Sequence, residues 1–181
     1  MLQIIIPDSD DLWDEKKEEF VCRKGQTIQL EHSLVSLARW ESKWRIPFLS
    51  KNEKSFEQTL DYIKCMTVTQ NVRPEVYRNL TQDNFAEIDA YINAPMTATY
   101  FSDEEEHKAS SEQITAEIIY YWMVAFNIPP EYQKWHLNRL LALIKVCNIK
   151  NQPSKKMSKR EILRRNAAEN ARRRKKYGSK G

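Results

Sequence analysis

The sequence predicts a mainly helical α+β protein: a helical body with a small N-terminal antiparallel β-hairpin or sheet and a projecting basic C-terminal helix. Three observations support this fold class. Short apolar runs and turn signals fill the first 30 residues, apolar residues recur at helical spacing from residue 31 onward, and Lys and Arg crowd the last 28 residues. We therefore divide the chain into a β-rich segment (1–30) packed on the body, a helical body (31–150) and a basic helical tail (151–181).

The β-rich segment contains the short runs that antiparallel strands need. Residues 3–6 are mostly β-branched, residues 12–13 and 19–22 flank a charged stretch, and residues 27–30 follow a turn signal at Gly25. The charged stretch is typical of a solvated hairpin tip. Together these runs predict a small antiparallel sheet.

The first part of the helical body has clear start and stop signals. Apolar residues recur every three or four positions over residues 31–46, until Pro47 ends the pattern. A capping box at residues 50–53 predicts the start of a second helix. Pro74 begins a short helical turn, and Thr81 caps a further helix that stops before residue 95.

Two apolar helices are predicted after a loop at residues 96–111, whose centre is acidic. Residues 112–126 are apolar nearly all round in their second half, which is typical of a helix at the centre of a core. The Pro129-Pro130 pair then begins a helix over residues 131–147. We expect these two helices to pack along each other as an αα-hairpin.

Charge is unevenly distributed along the chain. Residues 154–181 contain 12 basic and two acidic residues, a net charge of +10, whereas the whole chain carries only +4. The preceding residues must therefore hold a net charge of −6. A basic tail on an acidic body is typical of proteins that bind nucleic acid or an acidic protein surface.

Glycine and cysteine usage disfavours several classes of enzyme. The only glycines are Gly25, Gly178 and Gly181, and none lies in a phosphate-binding loop or a nucleophile elbow, both of which require glycine. The three cysteines are far apart and predict neither a disulfide framework nor a zinc site. We expect no cofactor, no metal and no catalytic residues, although an enzyme would remain conceivable if His32, His107 and His136 converged with the cysteines.

The basic tail has a helix start signal, in which Ser158 caps and Glu161 reaches back, and a stop signal at Gly178. It has little apolar surface to bury, so we expect it to project from the body or to order on a partner. One interpretation is that the tail binds nucleic acid, with an affinity that depends strongly on salt and little on base sequence. The competing interpretation is a solvated tail without a partner. Its candidate partner-binding residues are the clustered cations Arg164, Arg165, Arg172, Arg173, Arg174, Lys175 and Lys176.

Several short motifs resemble those of tail assembly chaperones from long-tailed bacteriophages. They are WESKW at residues 40–44, PFL at 47–49, YYWM at 120–123 and QKWHLNRL at 133–140, followed by the basic end. The resemblance covers the whole chain but carries no catalytic motif. It implies a mostly helical, noncatalytic assembly factor that coats the helical tape measure protein and delivers it to tail tube subunits.

The function we predict is therefore a phage tail assembly chaperone in the host cytoplasm. Its expected partners are the tape measure protein and the tail tube protein; self-association stays open, and no run is apolar enough to span a membrane. The alternative is a phage nucleic-acid-binding protein that contacts phosphates through its tail. Trp40, Trp44 and Phe48 are candidates for an apolar groove that binds the client, although aromatic residues at this spacing usually belong to a core.

Overall fold

A computed structural model describes residues 1–8, 12–14, 19–21, 24–101, 113–152 and 159–178. Within these ranges the chain forms six α-helices, two short 3-10 helices and four short strands. The predicted fold class, mainly helical with a small N-terminal antiparallel sheet, is confirmed. The chain comprises two compact units, an N-terminal unit (1–147) and a C-terminal unit (148–181).

The main sheet has two strands, β1 (Leu2–Ile6) and β4 (Gln26–Leu30). They pair antiparallel, with Leu2 opposite Leu30 and Ile6 opposite Gln26. Side chains on a strand alternate between its two faces, so one face can be apolar while the other is solvated. Here Ile5 is 71% exposed, whereas its neighbours on both sides are buried. The face that packs on the helices consists of Ile4, Ile6, Ile28 and Leu30.

A second antiparallel pair, β2 (Leu12–Asp14) and β3 (Glu19–Val21), forms a separate two-stranded sheet. The chain then returns to β4 through Gly25, whose backbone N–H donates a hydrogen bond to Asp8 Oδ1 at 2.6 Å. A Cβ at Gly25 would lie 2.0 Å from the carbonyl oxygen of Ile6. The turn predicted at this glycine therefore depends on the absence of a side chain.

The first three α-helices each begin with a reciprocal cap, in which the capping side chain and the third helical residue exchange hydrogen bonds. Helix α1 (Leu34–Trp44) is capped by Ser33, for which no cap was predicted, whereas α3 (Gln82–Asn93) is capped by the predicted Thr81. Between them, Pro74–Asn79 forms the first 3-10 helix, which confirms the short turn expected from Pro74.

Helix α2 (Phe56–Met66) begins later than the predicted capping box at residues 50–53. Ser55 and Gln58 supply the actual box, with Ser55 N–H donating to Gln58 Oε1 at 2.9 Å. The prediction was wrong because the sequence contains two successive candidates of the same type, at residues 50–53 and 55–58. The helix starts at the one that directly precedes its apolar positions.

The apolar composition of residues 112–126 predicted a helix at the centre of the core. Helix α4 (Ala116–Ala125) does not lie there. It packs on α1 through Ala116, Ile119 and Met123, which are buried. Its opposite side includes Tyr121, 69% exposed, and Val124, 75% exposed. The helix is therefore apolar on a surface that water can reach.

The helix predicted over residues 131–147 is interrupted. Pro130–Lys134 forms the second 3-10 helix, and α5 (Leu137–Asn151) begins only after a break. At the break His136 forms a β-bridge with Ser33, and the N–H of Leu137 donates to the carbonyl oxygen of His32 at 2.8 Å. The close α-helix pairings in the N-terminal unit are those of α1 with α2 and of α1 with α4. Helix α5 does not run along α4, so the expected αα-hairpin is wrong.

The C-terminal unit contains α6 (Lys159–Tyr177), followed by Gly178 in the left-handed conformation with φ of 63°. This agrees with the predicted stop signal, since a left-handed glycine commonly ends a helix. The cap predicted at Ser158 and most of the acidic loop (102–111) lie outside the described residues.

Candidate functional site

The three aromatic groove candidates belong to an interior cluster. Trp40 is fully buried, and its indole N–H donates to the carbonyl oxygen of Gln58 at 2.9 Å. Phe48 is 8% exposed, with its ring centroid 4.0 Å from that of Tyr62 and 5.1 Å from that of Trp40. Trp44 is half-buried and donates to Asp61 Oδ2 at 3.0 Å. The structure therefore places Trp40 and Phe48 in the core rather than in an open groove, because α1 turns this face toward α2.

One buried carboxylate links this cluster to α4. Glu41 is 8% exposed, and its two oxygens accept hydrogen bonds from the backbone N–H groups of Phe48 and Ala116, each at 2.7 Å. Ala116 is the first residue of α4, whose N-cap, Thr115, makes no side-chain cap. A negative charge is favourable at a helix N-terminus, so Glu41 replaces the missing cap and fixes where α4 begins.

A second buried polar network joins the sheet, α2, α3 and the start of α5. His32 is 2% exposed and His136 is 7% exposed, with their ring centroids 5.0 Å apart. The Tyr62 hydroxyl lies 2.6 Å from His32 Nδ1. His136 Nε2 lies 3.0 Å from the carbonyl oxygen of Tyr91, and this contact assigns the proton of the neutral ring to Nε2.

Burial holds both histidines in their neutral forms. It lowers the pKa of His32 from 6.5 to about 4, with the neighbouring His136 as the second cause. Burial also lowers the pKa of His136, although its contact with the Tyr91 carbonyl opposes this shift. The hydrogen bonds of the two rings go to tyrosine and backbone groups in the described residues, and His107 lies outside them. The pair therefore acts as a structural connection between elements.

The exposed side of α4 is an apolar surface that composition alone did not reveal. Tyr121 and Val124 are adjacent on this side, next to the exposed Glu117, and Ile118 and Trp122 flank them half-buried. We call these four apolar residues, Ile118, Tyr121, Trp122 and Val124, the α4 face. Contiguous exposed apolar surface is typical of protein interaction sites.

Helix α6 carries the predicted cationic candidates, and all seven of them are exposed. It contains nine basic and two acidic residues, a net charge of +7. At 3.6 residues per turn, Arg165, Arg172 and Lys176 share one side of the helix, while Arg164, Arg174 and others point elsewhere. Within α6, Arg173 donates to Glu169 at 3.1 Å. The cations thus surround the helix.

A cavity of about 400 Å³ lies beside the sheet, between the start of α1 and the end of α2. Its lining includes Arg39, Lys134 and the carboxylate of Glu31, which also accepts a hydrogen bond from Tyr91 at 2.8 Å. Cys65 lies in the same wall, where burial raises the pKa of its thiol. That shift disfavours the thiolate, the nucleophilic form of cysteine.

Two further observations concern the described residues only. They contain no group of three or more His, Cys, Asp or Glu side chains arranged to hold a metal ion. Among the helices in those same ranges, none combines the length and the apolar composition that crossing a bilayer would require.

Comparison of the chain with protein-family models, curated proteins and solved structures finds no match.

Proposed function

We propose that this chain is a noncatalytic phage tail assembly chaperone that binds the tape measure protein during tail morphogenesis in the host cytoplasm. The observation that carries the proposal is the α4 face, in which Tyr121 and Val124 remain largely exposed on the surface of a folded unit. The resemblance of residues 40–49, 120–123 and 133–140 to tail assembly chaperones supplies the identity of the client.

The chemistry of the α4 face suits an amphipathic client helix. Such helices bind by placing an apolar stripe against an apolar surface, with aromatic and aliphatic side chains as anchors. Tyr121 offers a large ring with a polar end, and the neighbouring Val124 adds aliphatic area. The tape measure protein is expected to be a long helix, so it could present several such stripes to several copies of the chaperone.

The position of the α4 face also suits a surface that must stay available. Ala116, Ile119 and Met123 attach the helix to α1, and Glu41 fixes its first turn from inside the core. The opposite side can therefore bind and release a client without unfolding the helix. This assignment moves the proposed apolar contact from Trp40 and Phe48, which are buried, to Tyr121 and Val124.

Copurification with the tape measure protein tests the proposal. Tagged full-length chain is coexpressed with the tape measure protein of the same phage, and the lysate is treated with nuclease before capture. The wild-type chain should retain the tape measure protein. Tyr121→Ser combined with Val124→Ser should lower the retained amount at least about tenfold, because each truncated anchor typically costs more than 1 kcal/mol of binding free energy.

A matched variant controls for the loss of exposed apolar area in general. Val68 is 52% exposed and Tyr100 is 85% exposed, and neither belongs to α4. Val68→Ser combined with Tyr100→Ser should leave capture within about twofold of wild type. The proposal fails if the wild-type chain retains no tape measure protein, or if the two double variants capture equally well.

A further inference from the structure

Helix α6 differs from a helix that docks on a protein surface. A docking helix needs an apolar stripe about 100° wide, but the two large aliphatic residues of α6, Ile162 and Leu163, are neighbours in sequence and point about 100° apart. Ile162 is 44% exposed and Leu163 is 69% exposed. The other apolar residues of α6 are Ala167, Ala168, Ala171 and Tyr177, and cations are distributed around the whole circumference. Helix α6 therefore presents no wide stripe of large apolar side chains to a protein partner.

The energetics also favour a polyanion over an acidic protein surface. Exposed ion pairs between side chains contribute about 0–1 kcal/mol each, and α6 has little apolar contact to add to them. A nucleic acid concentrates phosphates densely enough to condense counterions, and their release drives the binding of clustered cations. The nine basic residues of α6 lie within a helix of 19 residues, about 28 Å long.

The shape of α6 favours a duplex over a single strand. Single-strand binding relies on aromatic side chains that stack on bases, and the only aromatic residue of α6 is Tyr177. An α-helix with its side chains is about 10–12 Å across, which matches the B-DNA major groove of about 12 Å. The major groove of duplex RNA is too narrow and deep for such a helix.

We propose that α6 binds duplex DNA without sequence preference, by lying in the major groove and contacting phosphates on both sides through its encircling Lys and Arg side chains. The binding site comprises Arg164, Arg165 and the run Arg172–Lys176. It shares no residue with the α4 face and does not depend on the chaperone function proposed above. The residues that precede the tail carry a net charge of −6 and would repel DNA, so binding requires α6.

Fluorescence anisotropy with the full-length chain tests this site. The probes are duplex DNA of about 20 base pairs with mixed sequence, the corresponding single strand, duplex RNA of the same length, and a poly-glutamate peptide of about 20 residues. For about six phosphate contacts, the slope of log K against log salt should be about −5 for duplex DNA, and affinity should fall about 1,000-fold between 50 and 200 mM salt.

The variant that removes the site changes five cations to glutamine, which preserves helix propensity. Arg172→Gln, Arg173→Gln, Arg174→Gln, Lys175→Gln and Lys176→Gln together should make the salt slope shallower by about 3 or more. The matched control removes the same charge from exposed positions in the N-terminal unit, and its slope should stay within about 1 of wild type. That control replaces Lys24, Lys51, Arg73, Arg78 and Lys134 with glutamine.

Four results would overturn the inference. Equal weakening by both charge variants would show that net charge alone drives binding. Poly-glutamate binding at least as tight as duplex DNA binding would assign α6 to an acidic protein partner. Single-stranded DNA or duplex RNA binding tighter than duplex DNA would refute docking in the major groove. The absence of measurable duplex binding at 50 mM salt would remove the proposed site altogether.

Discussion

Acidification should destabilise the N-terminal unit through His32, which is buried against Tyr62, Phe48 and His136. The pKa of His32 is about 4 in the folded chain, compared with 6.5 when unfolded. Below pH 6.5 the unfolded chain therefore takes up a proton that the folded chain does not bind. Because protonation favours the unfolded state, stability is greatest above pH 6.5 and falls as the pH drops toward 4.

The magnitude follows from the two pKa values. Between pH 7.5 and pH 5, the difference in proton binding by His32 lowers the free energy of unfolding by about 2 kcal/mol, and by about 3 kcal/mol at pH 4. His136 adds to the effect in the same direction, since burial lowers its pKa as well. Most carboxylates remain ionised at pH 5, so the window from 7.5 to 5 reports chiefly on the histidines.

Urea denaturation of the wild type and of His32→Gln at pH 7.5 and pH 5 measures this contribution. The variant loses stability at pH 7.5, because the buried imidazole and its contact with the Tyr62 hydroxyl are lost, but its further loss on acidification should be about 2 kcal/mol smaller than that of the wild type. NMR titration of His32 should give a pKa well below 6.5. Equal pH dependence in the two proteins, or an ordinary pKa for His32, would refute the reasoning.

Three further substitutions test the local arguments by denaturation at pH 7.5. Glu41→Gln should cost about 2–4 kcal/mol, because an amide nitrogen would face one of two buried N–H donors, whereas the exposed Glu87→Gln should stay within about 0.5 kcal/mol. Gly25→Ala should cost about 1–3 kcal/mol, since its Cβ would collide with backbone atoms, and a stable variant would contradict the close approach. Ser55→Ala should cost about 1 kcal/mol of unfolding free energy. An equal cost for Ser50→Ala would support the capping box predicted at residues 50–53 instead.

The sequence predicts those elements whose signals are local. Thr81 and Pro74 mark helix starts through their own backbone chemistry, and the alternation around Ile5 defines a half-buried strand without reference to the rest of the chain. The confusion between Ser50 and Ser55 is also local, because both positions satisfy the same capping pattern. Fold class follows from such signals, since it requires only the type and order of the elements.

The candidate surfaces depend on long-range contacts that no local pattern encodes. The apolar composition of residues 116–125 predicts burial, but only packing on α1 decides that Tyr121 and Val124 are left outside. Likewise, nothing near residue 136 indicates that a β-bridge with Ser33 will interrupt a helix. The cations of α6 were recognisable because their meaning lies in charge density, which sequence shows directly.

Glu41 connects the interior of the N-terminal unit to its candidate surface. Its two oxygens hold the first N–H of α4 and the N–H of Phe48, so the same buried carboxylate orders the aromatic cluster and sets the orientation of the α4 face. A client helix bound at Tyr121 and Val124, as proposed, would therefore meet a preorganised surface and lose less of its binding free energy to ordering. Under the proposed function, Phe48 would therefore act on client binding only indirectly, from the core, through Glu41 and α4.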